Sequence, residues 1–107
     1  MSTTLEDSLA KIKETVTSNK VVLYMKGTPN APMCGFSAQV VNILDHLGVE
    51  FVGQNILEDE GIRQAIKVYA DWPTLPQLYI DGELVGGCDI TTEMFQSGEL
   101  QTLLGLQ

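Results

Sequence analysis

Apolar residues recur along this chain with the periods of helix and strand in alternation. Leu5, Leu9, Ile12 and Val16 fall at helical spacing. Ahead of them, Thr3-Thr4-Leu5-Glu6 fits a capping box, with Thr3 as N-cap and Glu6 three residues on. A first helix is expected to end near Ser18-Asn19. Lys20 to Met25 reads as a buried strand, rich in β-branched and aromatic residues. Gly27, Pro29 and Pro32 mark Lys26 to Met33 as a loop. Phe36, Val40, Leu44 and Leu47 line one face of a second helix, which Gly48 terminates. Val49 to Val52 is expected to form a short strand. Glu58, Asp59 and Glu60 favour a helix start, and Ile62, Ile66 and Tyr69 give that helix its apolar face. Trp72-Pro73-Thr74-Leu75-Pro76 cannot be helical, because each proline restricts itself and its predecessor. Leu78 to Ile80 and Leu84-Val85 flank Asp81-Gly82, a two-residue hairpin signal. Gly86-Gly87-Cys88-Asp89 leads into a helix with Ile90, Met94 and Phe95, and a last turn or two holds Leu100, Leu103 and Leu104.

The order is α-β-α-β-α-β-β-α-α. It predicts an α/β fold, a four-stranded mixed β-sheet flanked by helices on both faces. The first β-α-β unit is expected to be parallel with a right-handed crossover, and the hairpin adds antiparallel strands. The 107 residues suit one domain, residues 1–107, with no linker or repeat.

Composition narrows the function. Hydrophobic residues make up 44% of the chain, enough for a packed core. The apolar runs fall far short of the ~18 residues of a membrane span. The formal net charge of -8 argues against nucleic-acid binding through a phosphate-neutralising surface and favours basic partners. With six Lys and Arg in all, any convergence of cations is informative. Met1-Ser2-Thr3-Thr4 has no basic region followed by an apolar stretch, so a cytoplasmic protein, or an already trimmed form, is expected.

Cys34 and Cys88 are too few for a disulfide framework, and His46 is the sole histidine. A closed tetrahedral metal site needs four ligands. A metal at Cys34 would therefore draw ligands from outside the chain. Cys34-Gly35-Phe36-Ser37 lies between the first strand and the second helix. There the unpaired helix N–H groups and the helix dipole stabilise a thiolate, fit to act as nucleophile or metal ligand. Ser37 stands where a redox motif would carry its resolving cysteine, so this sulfur has no local partner.

Four segments in order, Lys26-Gly27-Thr28, Cys34-Gly35-Phe36-Ser37, Trp72-Pro73-Thr74-Leu75-Pro76-Gln77 and Gly86-Gly87-Cys88-Asp89-Ile90, span nearly the whole chain. Together they resemble a monothiol glutaredoxin of the CGFS type, within the thioredoxin-fold superfamily. The resemblance implies a thioredoxin-like fold with Pro76 as a cis-proline facing Cys34. It implies a 2Fe–2S cluster held in a homodimer, each protomer giving Cys34 and two glutathione molecules giving the remaining thiolates. Four thiolates are the usual complement of such a cluster, and one reactive cysteine per chain leaves room for that arrangement. The implied role is an iron–sulfur carrier in cluster biogenesis and iron homeostasis, with BolA-type and iron–sulfur acceptor proteins as partners and at most weak oxidoreductase activity. The alternative is a glutathione–disulfide oxidoreductase reducing protein–glutathione mixed disulfides by a monothiol route. A redox sensor glutathionylated at Cys34 is a third reading.

Glutathione carries two carboxylates and one ammonium, so its site needs cations, backbone donors and an acid. Lys26 is expected beside Cys34, lowering the thiol pKa and attracting a carboxylate, against the plainer reading of a solvated strand-end lysine. Arg63 and Lys67, spaced i, i+4, share a helical face and are candidates to clamp the glycyl carboxylate; a merely charged face is the alternative, and the family match carries Arg63 further than Lys67. The backbone at Leu75 is free to pair with a peptide-like ligand. The N–H groups of Cys88 and Asp89 open a helix and suit the γ-glutamyl carboxylate, while Asp89 faces the ammonium or serves as N-cap. Cys88 is read as backbone contact and packing, with a disulfide or glutathione adduct as the alternative. Trp72 and Phe36 read as core or rim.

Overall fold

The structure, a computed structural model, describes residues 4–106. Helix α1 runs Leu5–Ser18, and its N-cap is Thr4, whose Oγ1 accepts the Asp7 N–H at 3.1 Å. The cap therefore falls one residue later than the expected Thr3, which lies outside the described residues. Leu5, already helical, is exposed; Ile12 and Val16 carry the buried face.

Strand β1 (Val21–Met25) is buried at all five positions. A miniature hairpin, β2 (Gly27–Thr28) and β3 (Ala31–Pro32), occupies the segment expected to be plain loop. Helix α2 spans Gly35–Leu47 and stops at Gly48, whose φ of 71° lies in the left-handed region that glycine adopts without strain. Strand β4 is Val52–Asn55, shifted from the expected 49–52. Parallel pairing with β1 aligns Val22 with Val52 and Met25 with Asn55. Val49 and Phe51 instead pack against the core from the connecting segment.

Helix α3 (Glu60–Ala70) is capped by Asp59, whose side chain accepts the Ile62 N–H. Strands β5 (Gln77–Ile80) and β6 (Glu83–Gly86) form the expected hairpin. Its turn residues Asp81 and Gly82 both have positive φ, 52° and 83°, as a type I′ turn requires. Helices α4 (Cys88–Ser97) and α5 (Glu99–Leu103) follow.

The main sheet has the order β4-β1-β5-β6. Its β1 strand pairs parallel with β4 and antiparallel with β5. Alternation along β1 sorts the core into two layers. Val21, Leu23 and Met25 join Val40, Leu44, Leu78 and Leu100, under α2 and α5. Val22 and Tyr24 join Ile12, Val16, Ile66 and Tyr79, under α1 and α3. This is the thioredoxin-like arrangement, with helices on both faces of a four-stranded mixed sheet. Among the described residues no helix is long and apolar enough to cross a membrane.

Candidate functional site

The β1–α2 junction places Cys34 as the N-cap of α2, in extended backbone with φ −152° and ψ 136°. Its thiol is partly exposed and makes no capping hydrogen bond of its own. The Ser37 backbone N–H is the main cause holding its pKa below the ordinary cysteine value. The Phe36 N–H, the Lys26 ammonium and the Ser37 hydroxyl add to it, and burial opposes them. A thiolate is the nucleophilic and metal-binding form of cysteine, so an accessible, acidified thiol is a reactive one.

Polar side chains lock this junction. Ser37, fully buried, accepts the Lys26 N–H through Oγ at 3.2 Å, tying the end of β1 to the first turn of α2. The Lys26 carbonyl accepts the Met33 N–H at 2.9 Å, closing the loop ahead of Cys34. Asn55 at the end of β4 accepts both the Gly27 and the Leu57 N–H groups through Oδ1, each at 3.0 Å. Gly27 has φ 91°, and a Cβ there would sit 2.5 Å from the Ala31 carbonyl oxygen and 2.6 Å from the Met33 nitrogen. The close loop crossing over Gly27 thus admits no side chain.

A groove opens beside the thiol. Its first half, about 360 Å³, is lined by Lys26, Cys34, Phe36, Arg63, Lys67, Pro73, Thr74 and Leu75. That volume lies within the ~300–1,000 Å³ usual for small-ligand sites. Lys26, Arg63 and Lys67, half of the chain's six cations, converge on it. A second half of about 230 Å³ shares Phe36, Thr74 and Leu75, and adds Trp72, Pro76, Gly87, Cys88, Asp89 and Ile90. All six expected residues, Lys26, Cys34, Arg63, Leu75, Cys88 and Asp89, therefore border these two adjoining depressions, and Lys67 joins them.

The wall between the halves is the segment that the prolines keep out of regular structure. The Leu75–Pro76 peptide bond is cis. Among the described residues, Thr74 and Leu75 make no backbone–backbone hydrogen bond, so the polar edge of Leu75 is free for a ligand. The N-cap of α4 is Gly87 and not Asp89, which is an exposed residue of the first turn. The chain passes close to Pro76 at this point: a Cβ on Gly87 would lie 3.3 Å from the Pro76 carbonyl oxygen.

Cys88 is half-buried, and its side chain packs against the core cluster under α2. Burial, foremost, pushes its thiol pKa up, with Asp89 and Cys34 adding to the rise and Thr92 opposing it. Both cysteines are free. The two thiols are thus driven in opposite directions, one toward reactivity and one toward packing. Phe36 and Met33 are rim residues, 62% and 72% exposed, flanking the thiol with apolar surface. Among the described residues no three His, Cys, Asp or Glu side chains gather to hold a metal ion.

Asn55 escaped the sequence reading, and Gln77 entered it only as the last residue of a motif, with no role of its own. Asn55 ends an edge strand and Gln77 begins a central one, where an alternating pattern expects apolar residues. Each is a polar interruption of a strand, which was the available signal.

The Glutaredoxin family model matches residues 21–85, from the first residue of β1 into β6. The Probable monothiol glutaredoxin 2 of Rickettsia typhi is 56% identical over 97 residues, covering 91% of this chain and 87% of that protein. The solution structure of reduced poplar apo GrxS14 is similar with TM-score 0.80 and 56% identity, covering 90% of this chain and 88% of the other. A buckwheat glutaredoxin solved in complex with glutathione is similar with TM-score 0.85 and 27% identity, covering 94% and 90%. The matched segment holds Lys26, Cys34, Arg63 and the Thr74–Pro76 wall, and it has Ser37 where a second active-site thiol would stand; the chain belongs to the glutaredoxin family, among its monothiol members.

Proposed function

We propose that this protein binds glutathione in the groove beside Cys34 and carries a 2Fe–2S cluster on that thiol for transfer to acceptor proteins. The observation that carries the proposal is an acid-shifted, accessible thiol beside a free peptide edge and three cations; among the described residues no three His, Cys, Asp or Glu side chains gather there. Lys26, Arg63 and Lys67 suit the glycyl carboxylate and Leu75 the peptide backbone. The first turn of α4, opening at Cys88 and Asp89, suits the γ-glutamyl carboxylate, and the Asp89 side chain suits the ammonium. The buckwheat relative's glutathione complex supports that choice of ligand.

The donor set fits a cluster only if it is shared. One thiolate per chain leaves three of four positions to outside thiolates. A second copy bringing its own Cys34, with two glutathiones, completes the set, and the rim of Met33 and Phe36 gives the two copies apolar surface to approach. A BolA-type protein replacing one copy is the corresponding mixed assembly. Exchangeable small-molecule ligands make the cargo easy to release, as a carrier requires. The residues named here bind and orient glutathione and lower the thiol pKa; the cluster is the cargo.

The same acid-shifted thiol favours a second reading. The Cys34 thiolate would attack the glutathione sulfur of a mixed disulfide, releasing the protein thiol. A second glutathione thiolate would then regenerate Cys34 and leave as glutathione disulfide. Anaerobic reconstitution with iron, sulfide and glutathione tests the first reading. The wild-type protein is expected to become a brown dimer with visible absorbance, and Cys34→Ser to stay colourless. A colourless wild type with brisk deglutathionylation would assign the groove to the oxidoreductase instead.

A further inference from the structure

Gln77 is a polar residue with no solvent exposure at the start of β5, paired in register with Tyr24. It shares a sheet face with Tyr79 two residues on, the face covered by α1 and α3, while α2 packs on the other. Its amide is used in three directions. Nε2 donates to the Trp72 carbonyl at 3.1 Å and to the Thr74 carbonyl at 3.2 Å, and Oε1 accepts the Tyr79 hydroxyl at 3.1 Å. The arrangement fixes which way the amide points, because a rotated amide would turn its oxygen toward two carbonyl oxygens. Burial raises the Tyr79 hydroxyl well above the ordinary tyrosine value, so it stays protonated and able to donate. Edge contacts from Tyr24 and a tilted Tyr69, with ring centroids 5.9 and 6.1 Å away, hold the Tyr79 ring.

The segment so held has little else to place it. Trp72 is tied to the end of α3 through its own N–H, which donates to the Lys67 carbonyl at 3.2 Å. Beyond that point Thr74 and Leu75 have no backbone partner among the described residues. Yet Trp72, Pro73, Thr74, Leu75 and Pro76 make up one wall of the groove.

We propose that Gln77 is a positioning residue for the groove: from the sheet face covered by α1 and α3, its amide holds the Trp72 and Thr74 carbonyls and so sets where the free peptide edge of Leu75 meets the ligand. Tyr79 acts one step behind, by fixing the rotation of that amide. The inference rests on the groove being a glutathione site. It adds that affinity there is controlled by a side chain that touches no ligand.

The test uses the full-length apo protein and reduced glutathione, titrated anaerobically by calorimetry. Trp72, the sole tryptophan, reports the segment's position by fluorescence and quenching. Gln77→Met keeps the length and removes the amide; Tyr79→Phe removes only the hydroxyl. Gln77→Met is expected to weaken glutathione binding by about tenfold, as small misplacements of binding groups do. It is also expected to shift Trp72 emission and raise its quenching. Tyr79→Phe is expected to act in the same direction by about threefold, one hydrogen bond's worth. The titration of the Cys34 thiol, set by α2, is expected to stay unmoved. Ile12→Val in α1 serves as the control for lost stability alone: melting temperature falls, while affinity and Trp72 emission do not change. The proposal is overturned if Gln77→Met keeps both affinity and Trp72 emission, or if Ile12→Val reproduces its loss of affinity. Should Gln77→Met fail to fold, Tyr79→Phe decides between the same two outcomes. A wild-type protein that takes up no glutathione would remove the ligand reading by itself, and the Trp72 signal would then decide the role of Gln77 alone.

Discussion

Replacing Ser37 by Ala separates two functions that meet in one residue. The Ser37 backbone N–H is the largest cause of the acid shift at Cys34, and its hydroxyl is the smallest contributor among the causes that lower the pKa. The hydroxyl oxygen, however, is the partner of the Lys26 N–H at 3.2 Å, inside a residue with no solvent exposure. Stranding that half-buried donor is expected to cost about 1–2 kcal/mol. Alanine recovers roughly half a kcal/mol through its better helix propensity. The net loss is about 1 kcal/mol, which in a domain of this size lowers the melting temperature by about 4–8 °C. The thiol, still facing both backbone donors, is expected to stay more acidic than an ordinary cysteine. Thermal unfolding and the ultraviolet absorbance of the thiolate against pH measure the two effects on one sample. A variant as stable as wild type would show that the Lys26 tie does not hold the junction. A thiol returned to the ordinary cysteine range would show that the hydroxyl, not the backbone, sets the acidity.

The two cysteines should part company with pH. Cys34 ionises more easily folded than unfolded, so its contribution to stability is lost as pH falls through its native pKa. That contribution grows as pH rises toward the ordinary thiol value of about 8.5. Cys88 carries the opposite sign: its contribution is full below that ordinary value and lost as pH rises through its raised native pKa. Melting temperatures of Cys34→Ser and Cys88→Ser relative to wild type should therefore diverge on going from about pH 6 to about pH 9, with Cys34→Ser losing ground. Iodoacetamide at neutral pH should mark Cys34 first by mass spectrometry, and equal labelling of the two would contradict the assigned directions. At the cationic end of the groove, Arg63→Ala is expected to weaken glutathione binding by about five- to tenfold at low salt, with a smaller ratio at high salt. Arg63→Lys should recover only part of the loss, since an ammonium cannot hold a carboxylate bidentately. Affinity unchanged in Arg63→Ala would take that guanidinium out of the site.

Much of this fold was legible because its signals are apolar and local. The strand from Val21 to Met25 is buried on both faces and reads as a continuous apolar run, and Asp81-Gly82 supplies the two positive φ angles its turn needs. The second parallel strand was misplaced for a physical reason. Strand β4 is an edge strand, paired on one side only, and its residues Val52, Gly53, Gln54 and Asn55 are all half-buried. Its place is set by the backbone ladder to β1, while the apolar Val49 and Phe51 are packing residues of the connection. The thiol and the cations were legible as motif positions. Gln77 was legible only as the last residue of a motif and Asn55 not at all, because what each holds is mainly backbone N–H or carbonyl groups, which every residue supplies and which leave no mark in a sequence.

That asymmetry follows from what the site is made of. The acidity of Cys34 comes first from the N–H groups of Ser37 and Phe36. The unpaired peptide edge is the main chain of Leu75, and in the proposed site the first turn of α4 would take the second carboxylate. Side chains enter mainly to fix that backbone: Ser37 holds Lys26, Asn55 holds Gly27 and Leu57, and Gln77 holds Trp72 and Thr74. A surface built this way pairs one acid-shifted thiol with an unpaired main-chain edge at Leu75. Under the proposed function it would hold a group through exchangeable thiols, since the other cysteine of the groove, Cys88, has its pKa raised by burial. If the cargo is released when glutathione departs, the residues controlling release are those that place the Leu75 edge and the Arg63 guanidinium, and not the sulfur itself.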